Sequence, residues 1–276
     1  MLTMDAFLEA LTLEPTGDDR YRASNLPAEH NVVFGGQLLA QSVIAGLAGQ
    51  EGKSLKTIHT VFARGATPDR ALDIVVERMH GGRSVASSTV TISQGDQLVT
   101  RSLVLLSAEE EDVIRHADEP KNTSSPDVVT DTVRAVGAWE VGVVGAVDLN
   151  DPELVGPPEL DVWIRFVGAP DDPATDQALV AYSTDGFLIG TAMRPHAGVG
   201  QAQAHRTLST GVLSHTLTYH EQCPASEWHL LQQLSSYAGH GRSYGRGDIF
   251  RADGQLAASF VQDAMIRARS GAAGKL

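Results

Sequence analysis

The chain is poor in cysteine and in positive charge, and each shortage closes a class of function. Its single cysteine, Cys223, cannot form an internal disulfide and has no partner for a Cys-x-x-Cys redox or metal motif, so a bland buried thiol is expected. Ten histidines include no His-x-x-x-His or His-Glu-x-x-His pair, so metal-assisted hydrolysis has no support and no cofactor is implied. Lysine and arginine together number 21 against 34 aspartates and glutamates. The resulting net charge of −13 argues against a nucleic-acid partner, which needs a concentrated basic face. No apolar run approaches the ~18 residues of a bilayer span, and Met1-Leu2-Thr3-Met4-Asp5 lacks the basic start of a secretory signal. A soluble, cytoplasmic protein with no membrane span is the expectation.

What the chain does have is an echo of itself. His59-Thr60-Val61-Phe62, Gly82-Arg83-Ser84 and Asp96-Gln97-Leu98 are answered by His215-Thr216-Leu217-Thr218, Gly241-Arg242-Ser243 and Gly254-Gln255-Leu256, in the same order and at nearly constant spacing. This is a duplicated unit. With 42% hydrophobic residues over 276 positions, two halves sharing one core fit the length. The expected division is a first repeat over 1–107, a connector over 108–160, a second repeat over 161–270 and a tail over 271–276.

Within the first repeat, the stretch from Gly36 to Ala48 is apolar or small nearly all round, which suits a helix buried on most sides. Four strand-like runs follow it, Lys56 to Phe62, Ala71 to Arg78, Ser84 to Ser93 and Leu98 to Leu106, parted by turn signals such as Gly95-Asp96. The second repeat has a strand at Asp161 to Phe166 and a helix opened by Asp172-Pro173 and running to about Phe187. Its four strands fall at Leu213 to His220, His229 to Tyr237, Ser243 to Phe250 and Ala257 to Arg267. The charged, proline-punctuated connector predicts one short helix near Val128 to Val136. Long antiparallel strands wrapped round a central helix, twice over, give an α+β fold.

The duplication also acts as an internal control. Sliding Gly36-Gln37-Leu38-Leu39 onto Asp176-Gln177-Ala178-Leu179 pairs Ala45 with Asp185, and counting on from Gln97 and Gln255 pairs Val104 with Gln262. In both places only the second copy is polar, which marks Asp185 and Gln262 as candidates for function. A Gly-x-Ser-x-Gly sequence, Gly241-Arg242-Ser243-Tyr244-Gly245, sits at an expected strand-to-strand turn with no histidine after His240. Ser243 is therefore read as structural rather than as a hydrolase nucleophile. Arg242 and Arg246 lie close together in the second copy and offer a local positive site for a phosphate-bearing ligand.

Val33-Phe34-Gly35-Gly36-Gln37, Arg83-Ser84, Ser214-His215-Thr216 with Tyr219-His220, Glu227-Trp228, Arg242 with Arg246-Gly247, and Val261-Gln262-Asp263 together resemble the acyl-CoA thioesterase II family. The resemblance covers most of the chain outside the connector and implies the double hotdog fold. It also implies hydrolysis of fatty acyl-CoA by a water that an aspartate, a hydroxyl residue and a glutamine hold, with no covalent intermediate. Carried onto this sequence, the aspartate is Asp185 and the glutamine Gln262. The family's hydroxyl, three residues before the strand histidine, falls on Val212. Alternation along a strand puts Thr210, Ser214 and Thr216 on one face, and Ser214 is the chosen substitute. The amides of Gly35 and Gly36, at a helix N-terminus, are the expected oxyanion donors. Val212 keeps alive a second reading, a non-catalytic acyl-CoA or acyl-carrier binding protein. An enoyl-CoA hydratase ranks last, because no histidine stands near Asp185 in sequence before His196. A homodimer of double units is the expected assembly.

Overall fold

A computed structural model of the chain describes residues 2–27, 31–122, 124–129, 133–145 and 147–269. The first copy runs α1 (Met4–Leu11), β1 (Glu14–Gly17), β2 (Arg20–Ala23), α2 (Gly35–Leu47), β3 (Ser54–Phe62), β4 (Leu72–Gly81), β5 (Val85–Gln94) and β6 (Gln97–Ser107). Between the copies lie β7 (Arg134–Val136) and β8 (Trp139–Val143). The second copy runs β9 (Glu159–Phe166), α3 (Pro173–Thr184), α4 (Leu188–Met193), β10 (Leu208–Tyr219), β11 (His229–Gly239), β12 (Arg242–Arg251) and β13 (Leu256–Ala268). All the strands join one antiparallel sheet, in the order β1-β2-β4-β5-β6-β3-β10-β13-β12-β11-β9-β8-β7. The halves meet where β3 pairs with β10, Val61 opposite Ser214 and Thr57 opposite Thr218. The result is a double hotdog, with α2 and α3 side by side on the inner face of the sheet.

The local chemistry explains these elements. Helix α3 starts at Asp172, whose carboxylate accepts from the Thr175 amide at 2.9 Å, and Pro173 follows at the first position, where its missing N–H costs nothing. Helix α2 has no such cap and is instead held by burial: Leu38, Leu39, Val43 and Ala45 are all shut from solvent. The two helices touch at Gly36, where a side chain would collide with the carbonyl of Tyr182. Inward residues of the long strands, among them Ile58, Ile74, Val90, Ile92, Leu217 and Ile249, complete the core at roughly 1.5–3 kcal/mol for each large side chain buried.

The connector departs from expectation. In place of a helix near Val128 to Val136, a 3₁₀ turn covers Pro126–Val129 and β7 covers Arg134–Val136; residues 130–132 lie outside the described chain. Strand β8 then pairs with β9, Trp139 opposite Phe166, so part of the expected connector widens the second half of the sheet. Charged and proline-rich flanks hid a strand whose Trp139 and Val141 are buried. The expected tail, 271–276, lies outside the described residues.

Candidate active site

Asp185 caps the C-terminal end of α3. The residue keeps some exposed surface, but its Oδ1 is buried and meets no hydrogen-bond partner among the described residues. Burial pushes its carboxyl up to about 7, partly offset by the amide of Gly36 donating to it. The C-terminal end of a helix, electronegative, gives the charge no help. Across from it, a Cβ on Gly35 would lie 2.5 Å from Asp185 Oδ2, 3.0 Å from Val212 Cγ1 and 3.2 Å from Phe62 Cε1. Glycine at 35 thus lets the start of α2 close on the carboxylate, and Val212 presents a methyl group where the family resemblance calls for a hydroxyl.

Gln262, on β13, is almost wholly shut from solvent and sits opposite His215 of β10. Its Oε1 is 3.1 Å from His215 Nδ1, while its Nε2 is buried without a partner among the described residues. On the other side of the ring, His215 Nε2 lies 2.9 Å from Thr184 Oγ1. Thr184 is the residue before Asp185, so one run of contacts leads from the end of α3 to Gln262. The imidazole stacks on Phe260, centroids 5.7 Å apart, and burial pushes it down to about 4, so it is neutral near pH 7.

The pairing of strands sharpens the internal comparison. Ile58 stands opposite Val104 across β3 and β6 as His215 stands opposite Gln262 across β10 and β13. The spatial counterparts of His215 and Gln262 are therefore Ile58 and Val104, and the sequence slide pairs Asp185 with Ala45, all three apolar and all buried. His59, which matches His215 in the sequence echo, instead faces outward, its Nδ1 2.8 Å from Thr216 Oγ1. The polar set exists in one copy only. The sequence alone reads His215 as a packed or hydrogen-bonded strand residue, as it is here, and the echo pairs it with another histidine. The strand register, not the residue type, reveals the asymmetry, and Thr184 gives no signal of its own.

The remaining expected site residues fall elsewhere. A bulge in β10 between Val212 and Ser214 breaks the alternation, so Thr210 and His215 are buried while Ser214 turns to the outer face. There its hydroxyl donates to Asp263 Oδ2 at 3.1 Å, so it is not brought to Asp185. Arg242 and Arg246 also point outward from β12, where the alternate residues Ser243, Gly245 and Gly247 face in. Arg246 lines a cleft of about 600 Å³ together with Asp118, Glu119, Glu159, Asp161 and Asp248, a negative surrounding that disfavours phosphate. Of the two glycines, Gly36 gives its amide to Asp185. Gly35 opens α2, where amides have no intrahelical acceptor.

A mainly apolar cavity of about 740 Å³ opens at Tyr182, Gly186 and Phe187, on either side of Asp185 in the chain. Phe34 and Gly186, the neighbours of Gly35 and Asp185, line one part of it, and Trp139, Val141 and Leu149 another. A Cβ on Gly186 would lie 3.3 Å from the Trp139 ring, so the β8 tryptophan forms a wall next to Asp185. Among the described residues no group of three or more potential ligands gathers to hold a metal, and no helix is long and apolar enough to cross a membrane.

Comparison with known proteins finds two adjoining matches. Residues 23–107 match the family model described as the acyl-CoA thioesterase N-terminal domain, and residues 111–266 the one described as the acyl-CoA thioesterase C-terminal domain. The chain is 25% identical to acyl-CoA thioesterase 2 of Haemophilus influenzae, over 96% of this chain and 98% of the relative. It is 23% identical to human acyl-coenzyme A thioesterase 8, over 94% of this chain and 88% of the relative. Among solved structures it superposes on an acyl-CoA thioesterase II from Mycobacterium marinum with a TM-score of 0.80 at 25% identity, covering 96% and 98% of the two chains. A second neighbour, from Mycobacterium avium subspecies paratuberculosis, gives 0.82 at 22% identity, over 96% and 99%, a likeness of fold.

Proposed function

The chain belongs to the acyl-CoA thioesterase family of thioester hydrolases, and we propose that it hydrolyses acyl-CoA at one site per chain, with Asp185 as general base and Gln262 as the amide that holds the attacking water. One observation carries the reading: Asp185 Oδ1 and Gln262 Nε2 are an acceptor and a donor, both buried and unpartnered among the described residues, where the other copy is apolar. Buried groups left unmet cost about 1–3 kcal/mol each, and a water molecule, which both donates and accepts, is the partner such a pair calls for.

The water oxygen bonds to the thioester carbonyl carbon as one of its protons passes to Asp185. A carboxyl poised at about 7 is a stronger base than an ordinary carboxylate and is still ionised at mildly alkaline pH. Charge develops on the carbonyl oxygen, for which the Gly35 amide at the electropositive end of α2 is the proposed donor. The C–S bond then breaks, and the proton held by Asp185 returns to the departing thiolate, leaving free acid and CoA. The apolar cavity lined by Phe34, Trp139 and Leu149 takes the acyl chain. With a methyl of Val212 in place of a hydroxyl, the water is held at two points rather than three, and turnover is correspondingly slow.

Thiol release from a chain-length series of acyl-CoAs tests this on the wild type and on Asp185→Asn. The substitution should lower the rate by about 10² to 10⁴-fold, the usual contribution of a positioned base. Tight acyl-CoA binding with no thiol release from either protein is the signature of a non-catalytic binding protein and ends the proposal.

A further inference from the structure

We propose that Thr184 and His215 are positioning residues that fix the Gln262 amide, binding its Oε1 so that its Nε2–H donors are left for the reacting water. This goes beyond the assignment of Asp185 and Gln262 and rests on it.

The argument begins with a cost. Thr184, His215 and Gln262 are buried to within 1% of full enclosure, and polar groups so placed are unfavourable unless fully paired. The fold does not need the strand pair: the matching rung of the first copy closes with Ile58 and Val104, as deeply buried. The first copy buries a polar chain of its own one rung along, Thr60 to Ser102 to Ser42, but that chain leaves no atom reaching for a partner at Ser102 or Thr60. The second ends on the unpartnered Nε2 of Gln262, and that open end points to a ligand.

The chain can then be counted proton by proton. Gln262 Oε1 only accepts, so His215 Nδ1, 3.1 Å away, carries a proton. Burial keeps the ring neutral near pH 7, so that proton is its only one and Nε2 has a bare lone pair. The group facing Nε2 at 2.9 Å is the Thr184 hydroxyl, the donor that this tautomer calls for. Thr184 Oγ1 also lies 2.8 Å from the Ala181 carbonyl, an alternative acceptor for the same hydrogen; the ring competes for it with a second acceptor of the same reach. The order of donation is thus Thr184 to His215 to Gln262. It ends on the one atom of the amide that must be occupied if Nε2 is to face the water as a donor. Were the ring protonated on Nε2 instead, Nδ1 would demand the amide N–H₂, the amide would turn over, and two acceptors, Gln262 Oε1 and Asp185, would face the same site.

Two measurements test the proposal. In protein labelled with ¹⁵N-histidine, the His215 ring, identified by its loss in His215→Phe, should show a protonated Nδ1 and a bare Nε2 from pH 6 to 8. In thiol-release kinetics, His215→Phe, which keeps the stack on Phe260, should lower kcat by about 10 to 100-fold, the usual cost of losing a group that orients a reacting one, with KM little changed. His215→Asn, whose amide nitrogen reaches the Nδ1 position, should recover most of that loss, and the near-isosteric Thr184→Val should fall between. An Nε2-protonated ring in the wild type, which needs no variant to fold, overturns the proposal, as does wild-type kcat in folded His215→Phe. Asp185→Asn is run alongside. Its inactivity beside a fully active His215→Phe condemns the positioning role alone, whereas an active Asp185→Asn removes the underlying assignment as well.

Discussion

Replacing Asp185 with asparagine should stabilise the protein while disabling it, and the gain should depend on pH. The side chain keeps its shape and an oxygen to accept from Gly36, but loses the charge that burial opposes. The carboxyl moves from an ordinary 3.8 to about 7 in the fold, and at about 1.4 kcal/mol per pH unit holding it ionised there costs about 4 kcal/mol. Because the folded value lies above the unfolded one, the fold binds the extra proton between them. The contribution of this one group to stability is therefore most favourable below about pH 4, falls as pH rises to about 7, and is level beyond. Asparagine carries no such penalty, so the variant should gain little at pH 4 and about 4 kcal/mol at pH 8, roughly 8 °C in Tm for a chain of this length. Calorimetric melts of both proteins from pH 4 to 8 read this directly. A Tm difference that is the same at both ends of the range, or a variant less stable at pH 8, refutes the claim that Asp185 is a desolvated carboxylate.

Three further outcomes follow from the same geometry. Val212→Thr places a hydroxyl beside the carboxylate without changing volume and should raise kcat about fivefold, the worth of one hydrogen bond of about 1 kcal/mol; an unchanged or lower kcat in folded protein counts against the two-point site. Gly35→Ala forces a methyl to within 2.5 Å of Asp185 Oδ2 and should cost about 10²-fold in kcat/KM, as displacements near 1 Å do; full activity there contradicts the closure of α2 on the carboxylate. Leu149→Trp narrows the apolar cavity, and KM should rise for long acyl chains but not for short ones, whereas an unaltered chain-length profile removes the cavity as the acyl site.

Much of the fold was legible because its signals are local. The hairpins fall at the marked turns, where Gly95 (φ 58°) and Gly241 (φ 72°) supply the left-handed backbone a tight connection needs, and the eight long strands lie within a few residues of expectation except at the start of β10. That strand begins at Leu208 rather than Leu213 because its first residues pair with the far end of β13, Leu208 opposite Ala268, a partner distant in sequence. Asp185 and Gln262 stood out because the repeat supplied apolar partners for comparison. Ser214 misled for one reason: period-2 alternation assumes an unbroken strand, and the bulge after Val212 reverses every face beyond it. Arg246 misled for another, since the five carboxylates and Lys121 that share its cleft come from its own strand, from β9 and from the connector, and only the fold brings them together. Trp139 was hidden in a segment whose flanking prolines and charges outweigh its own strand pattern.

The central claim, that thioester cleavage runs through an ionised and deeply desolvated Asp185, is tested most directly by the pH dependence of kcat/KM for one well-accepted acyl-CoA. The rate should climb tenfold per pH unit below neutrality and level off above an apparent value of about 7, and that limb should vanish in Asp185→Asn. A wild-type profile already flat at pH 5 means that the base is an ordinary exposed carboxylate or another group, and contradicts the account.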